Sequence, residues 1–235
     1  MNLLTICQNV ARETGLPIPS TIIGNNSITE RKLLAAAQRT GKQLSRKDWC
    51  VLILEHAFET CANQEDYPLP DDYKTLIDLT TWNRAQADPM FRLSPQNWQE
   101  LKSGLTESIA FDNYRIKAKK GVNRFFIDPT PTSVEEIVFE YQSTSWVKHS
   151  ENSPITFTRS FDADGDEVLF DEDLFELGTM WRFLKSQGEP YFEEKDEFER
   201  TLSIDFSDDC GPESINMVKR RIPFVANVGQ VGFGN

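Results

Sequence analysis

Long apolar runs at helical spacing recur only near the two ends of this chain, and the stretch between them offers one short helix at most. At the start, Leu3, Ile6 and Val10 stand beside Leu4, Cys7 and Ala11, with Asn2 placed to cap the run and Gly15 to end it. Leu16-Pro-Ile-Pro-Ser20 and Gly24-Asn-Asn26 then predict a loop. A second run carries Leu33, Leu34, Ala37, Gly41 and Leu44 on one stripe. Ser27-x-x-Glu30 ahead of it predicts a capping box, and Arg46-Lys47 behind it complements the helix dipole. Helical spacing returns at Asp171, which can cap Leu174, Leu177, Trp181 and Leu184 before Gly188. Pro190 opens a last run with Phe192, Phe198, Leu202 and Phe206 facing inward.

The middle reads differently. Residues 50–62 are rich in Val, Ile, Leu, Phe and Thr, and further strands are expected at Thr75–Trp82, Phe111–Ala118, Asn123–Ile127 and Glu135–Tyr141. Tyr67-Pro-Leu-Pro70 is stiff and extended, because proline removes an N–H and restricts its predecessor. Ser94-Pro95 supplies a cap and a first-turn proline for a short helix holding Trp98 and Leu101. The expectation is an α+β chain: a four-helix bundle from residues 1–49 and 171–208, with an inserted, mainly antiparallel β-rich domain at 50–170. Residues 209–235, with Gly211-Pro212 and glycines at 229, 232 and 234, are expected to form an extended C-terminal arm.

Charge is distributed as unevenly as periodicity. The 235 residues carry a formal charge of −12. Residues 1–150 hold 17 basic and 18 acidic groups, residues 151–209 hold 5 and 18, and residues 210–235 hold 3 and 1. The excess negative charge therefore sits on the late helices, as a solvated face or as a surface that repels another polyanion. A balance this acidic argues against an extended nucleic-acid grip. The longest apolar run, Trp49–Leu54, has six residues, far short of the roughly 18 that a membrane helix needs. The first basic residue is Arg12, which predicts no signal peptide, and Cys7, Cys50, Cys61 and Cys210 read as reduced thiols.

Few constellations suggest chemistry. Asp162-Ala-Asp-Gly-Asp166 places oxygen ligands at alternate positions, but an EF-hand loop needs glycine sixth and a glutamate twelfth, where this chain has Glu167 and Asp173. An acidic turn before a helix explains the same residues, and no metal or cofactor is expected. His56 and His149 are the only histidines, so a multi-histidine metal site is nearly excluded. Cys50 and His56 are six residues apart on the expected strand, about 20 Å, although Cys61 or Cys210 could approach a histidine through the fold. Lys117-Ala-Lys-Lys120 beside Tyr114 fits the end of a hairpin at Gly121 better than a nucleic-acid contact. Carboxylate pairs abound in the acidic helices and none stands out, so no catalytic residue is assigned.

One ordered set of motifs carries a resemblance. Asp48-Trp49 follows the helix pair, then come Tyr67-Pro-Leu-Pro-x-Asp72, Trp82, Ser94-Pro-x-x-Trp98, Pro129-x-Pro131 and Glu140-Tyr-x-Ser-x-Ser-Trp146. Leu177-Gly-x-x-Trp181-Arg-x-x-Lys185-x-x-Gly188-x-x-Tyr191 closes the set, which spans about residues 1–206. In this the chain resembles the head-to-tail adaptor (connector, or tail tubular A-like) proteins of short-tailed bacteriophages. The resemblance implies a structural virion protein that assembles in the host cytoplasm into a homo-oligomeric ring, a dodecamer, between the portal and the tail nozzle. Tail fibres are a further implied partner, and double-stranded DNA would cross the ring without specific binding. Lys219, Arg220, Arg221, Ile222, Phe224, Val225, Val228, Val231 and Phe233 form a basic and apolar segment in the arm, expected to dock on the portal or an adjacent subunit by strand addition. The alternative is a tail-associated cell-wall hydrolase that uses acidic residues.

Overall fold

A computed structural model describes residues 1–104, 112–149 and 155–209. The chain begins with α1 (Leu3–Glu13) and α2 (Ile28–Leu44) and continues through β1 (Ile53–Glu59), β2 (Asp66–Pro68), β3 (Tyr73–Leu76), β4 (Trp82–Asn83), β5 (Asp88–Pro89) and β6 (Phe91–Arg92). The short α3 (Pro95–Lys102) precedes β7 (Asn113–Lys119), β8 (Val122–Asp128), β9 (Glu136–Ser143), β10 (Val147–His149), β11 (Thr156–Thr158) and β12 (Glu167–Val168). Helices α4 (Glu172–Gln187) and α5 (Phe192–Asp208) complete the described chain.

Local chemistry explains three of the five α-helix N-termini and the end of α4. Asn2 Oδ1 accepts the Thr5 N–H at 2.9 Å, Ser94 Oγ accepts that of Asn97 at 3.1 Å, and Asp171 accepts that of Leu174 at 3.1 Å. Each satisfies a donor that a helix leaves orphaned in its first turn. Gly188 ends α4 in the left-handed region at φ 81°, where a Cβ is unfavourable. The capping box before α2 does not form. Ser27 makes no side-chain cap bond, and its N–H is already donated to Asn25 Oδ1 at 3.0 Å, the donor that Glu30 was expected to take. Helix α5 begins at Phe192, and that ring is 68% exposed where the periodicity placed it inside.

Strand β9 is the spine of the largest sheet. It pairs antiparallel with all of β1, from Ile53 opposite Gln142 to Glu59 opposite Glu136. Its other edge takes β3 and β4 in succession, and β4 pairs on to β5. A second sheet runs β2-β8-β7-β6, antiparallel except for the β6–β7 pair. Lys120 and Gly121, at φ 53° and 83°, make the two-residue turn between β7 and β8, a geometry that suits the twist of a hairpin. The two sheets are joined by a column of nearly parallel rings, Tyr114 to Phe125 at 4.9 Å and Phe125 to Phe139 at 5.5 Å. Leu76, Ile127, Ile137 and Tyr141 fill the core around them.

The four-helix bundle is not what the chain builds. Five α-helices and twelve strands in three sheets are present among the described residues, and the fold is sheet-rich α+β. Helix α4 packs against α1, α2 and α5, but the helices do not close a core by themselves. Trp146, Val147, Phe161, Val168 and Phe170, from β10, β12 and their connections, complete the core that the helices share. These residues belong to the third sheet, β11-β10-β12, or border it. The Trp146 ring lies against the backbone of α2 at Gly41, where a Cβ would come within 2.2 Å of the indole. A β-segment therefore occupies the place where a bundle would seat helix against helix. The short strands escaped the sequence pattern because β4, β5, β6 and β12 have two residues each, and β10 and β11 three, too few for alternation to register. The expected C-terminal arm lies outside the described residues.

Gly41→Ala should destabilise the protein by about 1–3 kcal/mol, the usual cost of overpacking, as read from urea unfolding followed by circular dichroism. A smaller ring at position 146 should relieve part of that cost, so Gly41→Ala combined with Trp146→Phe should be less destabilised than the sum of the two single variants. Strict additivity would show that the contact is not the source.

Candidate functional site

The nine arm residues expected to bind a partner, from Lys219 to Phe233, all lie outside the described residues. Other candidates are placed. The Asp162–Asp166 turn is a clamp on the N-terminal segment. Asp164 accepts the Thr21 hydroxyl at 2.6 Å and the Ile22 and Ile23 N–H groups at 3.0 and 2.7 Å. The carbonyls of Asp166 and Asp164 accept the Leu3 and Leu4 N–H groups at the open end of α1, where unpaired donors gather. Asp166 itself is buried, 2.6 Å from His149 Nδ1, and accepts the N–H groups of Asp162 and Ala163 at 2.7 and 2.9 Å. Burial opposes ionisation of Asp166, but the His149 contact and the two N–H groups outweigh it and hold the carboxyl below its ordinary value.

The basic cluster at the β7–β8 hairpin is largely spoken for. Lys117 Nζ sits 4.0 Å from the centroid of Phe126 and 5.2 Å from that of Trp98, and Lys119 pairs with Asp66 at 2.7 Å. Tyr114 is 1% exposed, so its ring has no face to offer a base. The thiols differ from one another. Cys7 is buried and free, its pKa pushed up to about 12 by burial and by Asp164, Cys61 is exposed and free, and Cys50 is disulfide-bonded, contrary to the expected reduced state. His56 lies among Phe58, Phe139 and Tyr141, and burial lowers its pKa against the pull of Asp72.

The motif residues converge on packing. Asp72 accepts the Tyr141 hydroxyl at 2.9 Å and the Ser143 hydroxyl at 2.5 Å, while its carbonyl accepts the Thr144 N–H and hydroxyl. Ser143 Oγ in turn accepts the Ser145 N–H at 2.9 Å, one residue before Trp146. Burial raises the Tyr141 pKa, and Asp72 raises it further. Arg182 has a structural post of the same kind. Its guanidinium donates to the Gly178 carbonyl, Thr40 Oγ1 and Gln43, and lies 4.2 Å from the Trp181 ring. Burial, with Arg39 nearby, lowers its pKa to about 10. No single residue signalled these posts in the sequence, because Tyr141 and Ser143 are far from Asp72, and Thr40 and Gln43 are far from Arg182, along the chain.

Charge is where the surface departs most from a bland protein. Residues 28–47, α2 and the turn after it, carry six cations and one carboxylate, Glu30. Arg31, Arg39, Lys42 and Arg46 are exposed, and none forms a salt bridge among the described residues. Residues 192–209, α5 with its cap, carry eight carboxylates and two cations. Glu193, Asp196, Glu197, Glu199 and Asp208 are exposed there. Beside α5, Glu13, Asp173, Glu176 and Glu197 line a groove of about 240 Å³ with Val10, Leu177 and Met180. The Glu176 carboxyl is pushed above its ordinary value by burial and by Glu13, Asp173 and Glu172, although Asn9 donates to it. Sequence reasoning located this acidic excess but singled out none of the groove's carboxylates.

No protein-family model matches this chain, and no curated protein matches it significantly.

A carboxyl whose folded pKa is depressed stabilises the fold above its unfolded value, and that contribution is lost as pH falls through the folded value. Asp166→Asn should therefore lower Tm near neutral pH and flatten its fall between about pH 5 and pH 2. A parallel fall in wild type and variant would exclude Asp166 as the titrating group. Chelator and added calcium should each leave Tm unchanged, since the Asp164 and Asp166 carboxylates are engaged by N–H and O–H donors and the His149 ring.

Proposed function

We propose that this chain is a head-to-tail adaptor of a short-tailed bacteriophage: a structural subunit that forms a ring between portal and tail nozzle, through which genomic DNA passes. The acidic surface of the α4–α5 hairpin carries the proposal. Glu172, Asp173, Asp196 and Glu199 are exposed on it, and Asp205 is raised in pKa by burial and by Asp171, Asp208 and Asp173, the mark of carboxylates crowded together. A conduit for a polyanion needs walls that do not hold it, and negative walls repel phosphate over several ångströms in low salt. The motif residues of the resemblance support the same reading, because Trp49, Asp72, Trp98, Tyr141 and Trp146 all serve the fold, as befits a scaffold whose work is done by its surfaces.

Electron microscopy of the purified chain, alone and mixed with portal rings, should show annular particles that add to the portal. Monomers that never join it would overturn the proposal. Replacing Asp196, Glu199, Glu172 and Asp173 with lysine should create retention of duplex DNA in a mobility-shift assay at low salt, where the wild type shows none. Retention by the wild type would count against a repelling wall.

The groove holding Glu13, Asp173 and Glu176 favours a second reading, the cell-wall hydrolase. A carboxyl raised above its ordinary value by burial and by neighbouring carboxylates is a starting point for a general acid. Release of soluble fragments from peptidoglycan, abolished in Glu176→Gln, would establish that activity. The adaptor reading expects no release from either protein.

A further inference from the structure

The cations of α2 and the acids of α5 lie on faces that do not meet within one subunit. At 100° per residue, Arg31, Arg39 and Lys42 fall on one side of α2, opposite the buried Leu33, Ala37 and Leu44, and Arg46 follows in the turn after it. On α5, Glu193, Glu197, Ile204 and Asp208 fall on a common side, with Arg200 among them. That side is turned toward α1, since Glu197 shares a groove with Glu13 and Val10. The flank of α5 nearer α2 is occupied instead by Phe206, which packs on Trp49 and under Lys47. Ile204 on the acidic row is 61% exposed, and Ile28 at the head of α2 is 73% exposed. Two helices of 17 residues thus each present an exposed charged row, of opposite sign, with an uncovered isoleucine on each.

We propose that the cationic row of α2 docks on the acidic row of α5 in a second copy of this chain. A contact between two different patches of identical subunits is heterologous, and it closes into a ring when the rotation per subunit divides a full turn. The proposal rests on the ring reading and gives it a contact surface. The partner is another copy because the matching acidic row, of the same helical length, is carried by the chain itself. The same acids make duplex DNA the poorer occupant. Asp196, exposed and outside that row, stays free to face the channel. Charge complementarity of this kind sets orientation and encounter rate, and the flanking apolar residues add contact area.

The test is a charge swap on the full chain. Sedimentation velocity over a concentration series at low salt reads assembly, and circular dichroism confirms that each variant is folded. Arg31→Glu, Arg39→Glu and Lys42→Glu together should raise the concentration for half-assembly about tenfold or more. Glu193→Lys, Glu197→Lys and Asp208→Lys should do the same. Mixing the two variants should restore alternating assembly, with salt weakening the wild type and the mixed assembly alike. If the wild type assembles and the α2 variant assembles equally well, this contact is wrong and the ring survives it. A wild type that stays monomeric at every concentration and on portal rings overturns both. If a variant fails to fold, single reversals at Arg31 and Glu193 replace the triple ones and are read in the same way. Loss of duplex DNA binding in the α2 variant, with assembly unchanged, would assign the cationic row to nucleic acid and overturn the proposal.

Discussion

Gly41 has no side chain, and the indole of Trp146 fills the space where one would stand. Helix α2 can approach the segment between β9 and β10 only on that condition. The same ring meets Phe161, Phe170 and Phe175 at centroid distances of 5.1–6.4 Å, so the loop before α4 and α4 itself are placed from one point. A similar condition holds one layer away. A Cβ at Gly178 would come within 2.5 Å of Thr40 and 2.8 Å of Phe198, so α2, α4 and α5 converge on a second bare backbone position. Large rings against glycines bring three helices and a β-segment closer than side chains on both partners would allow. Interiors packed this tightly tolerate little added volume, and the arrangement of the layer follows from these two contacts.

Much of this was legible in the sequence, and the reasons are local. Asn2, Ser94-Pro95, Asp171 and Gly188 punctuate helices through bonds made within a turn, so their signals survive without knowledge of the fold. Strands β1, β7, β8 and β9 are seven or eight residues long and were found near their true positions. What escaped depends on distant partners. Ser27 looked like half of a capping box until Asn25 took its N–H. Gly41 read as a member of an apolar stripe, and only the position of Trp146 shows why a glycine stands there. The acidic excess was plain from composition, but its division into two flanks of α5 needed the burial of Phe198 and Leu202 to fix the helix's rotation.

Charge and packing divide the labour in this protein. The interior rests on aromatic rings, supported by carboxylates that each accept several hydrogen bonds, the half-buried Asp72 and the buried Asp166. The exterior of the helical layer keeps most of its charges unpaired, positive along α2 and, apart from the Lys195–Glu199 pair, negative along α5. Unpaired surface charge adds little to the stability of a monomer, whereas it contributes strongly to the choice and orientation of a partner. The cavities among the helices are bordered by glutamates and open to solvent, a surface better suited to contact with a macromolecule than to enclosing a small one.

The clamp at Asp164 and Asp166 also has a temporal side. Helix α1 is made well before its partners: the groups that close its open end and fix the loop after it lie some 140 to 160 residues further along the chain. Its buried face, Leu3, Ile6, Cys7 and Val10, belongs to the same core as Phe170, Leu174 and Phe175. A ribosome adding about 5–20 residues per second leaves that face only partly covered, by α2, for many seconds. During that interval the helix has the amphipathic character of a segment that associates with whatever apolar surface is nearest. Where several chains are made on one message, the α4 of an earlier, finished copy competes with the one still to be synthesised. Fidelity of assembly then depends on how soon the last helices arrive.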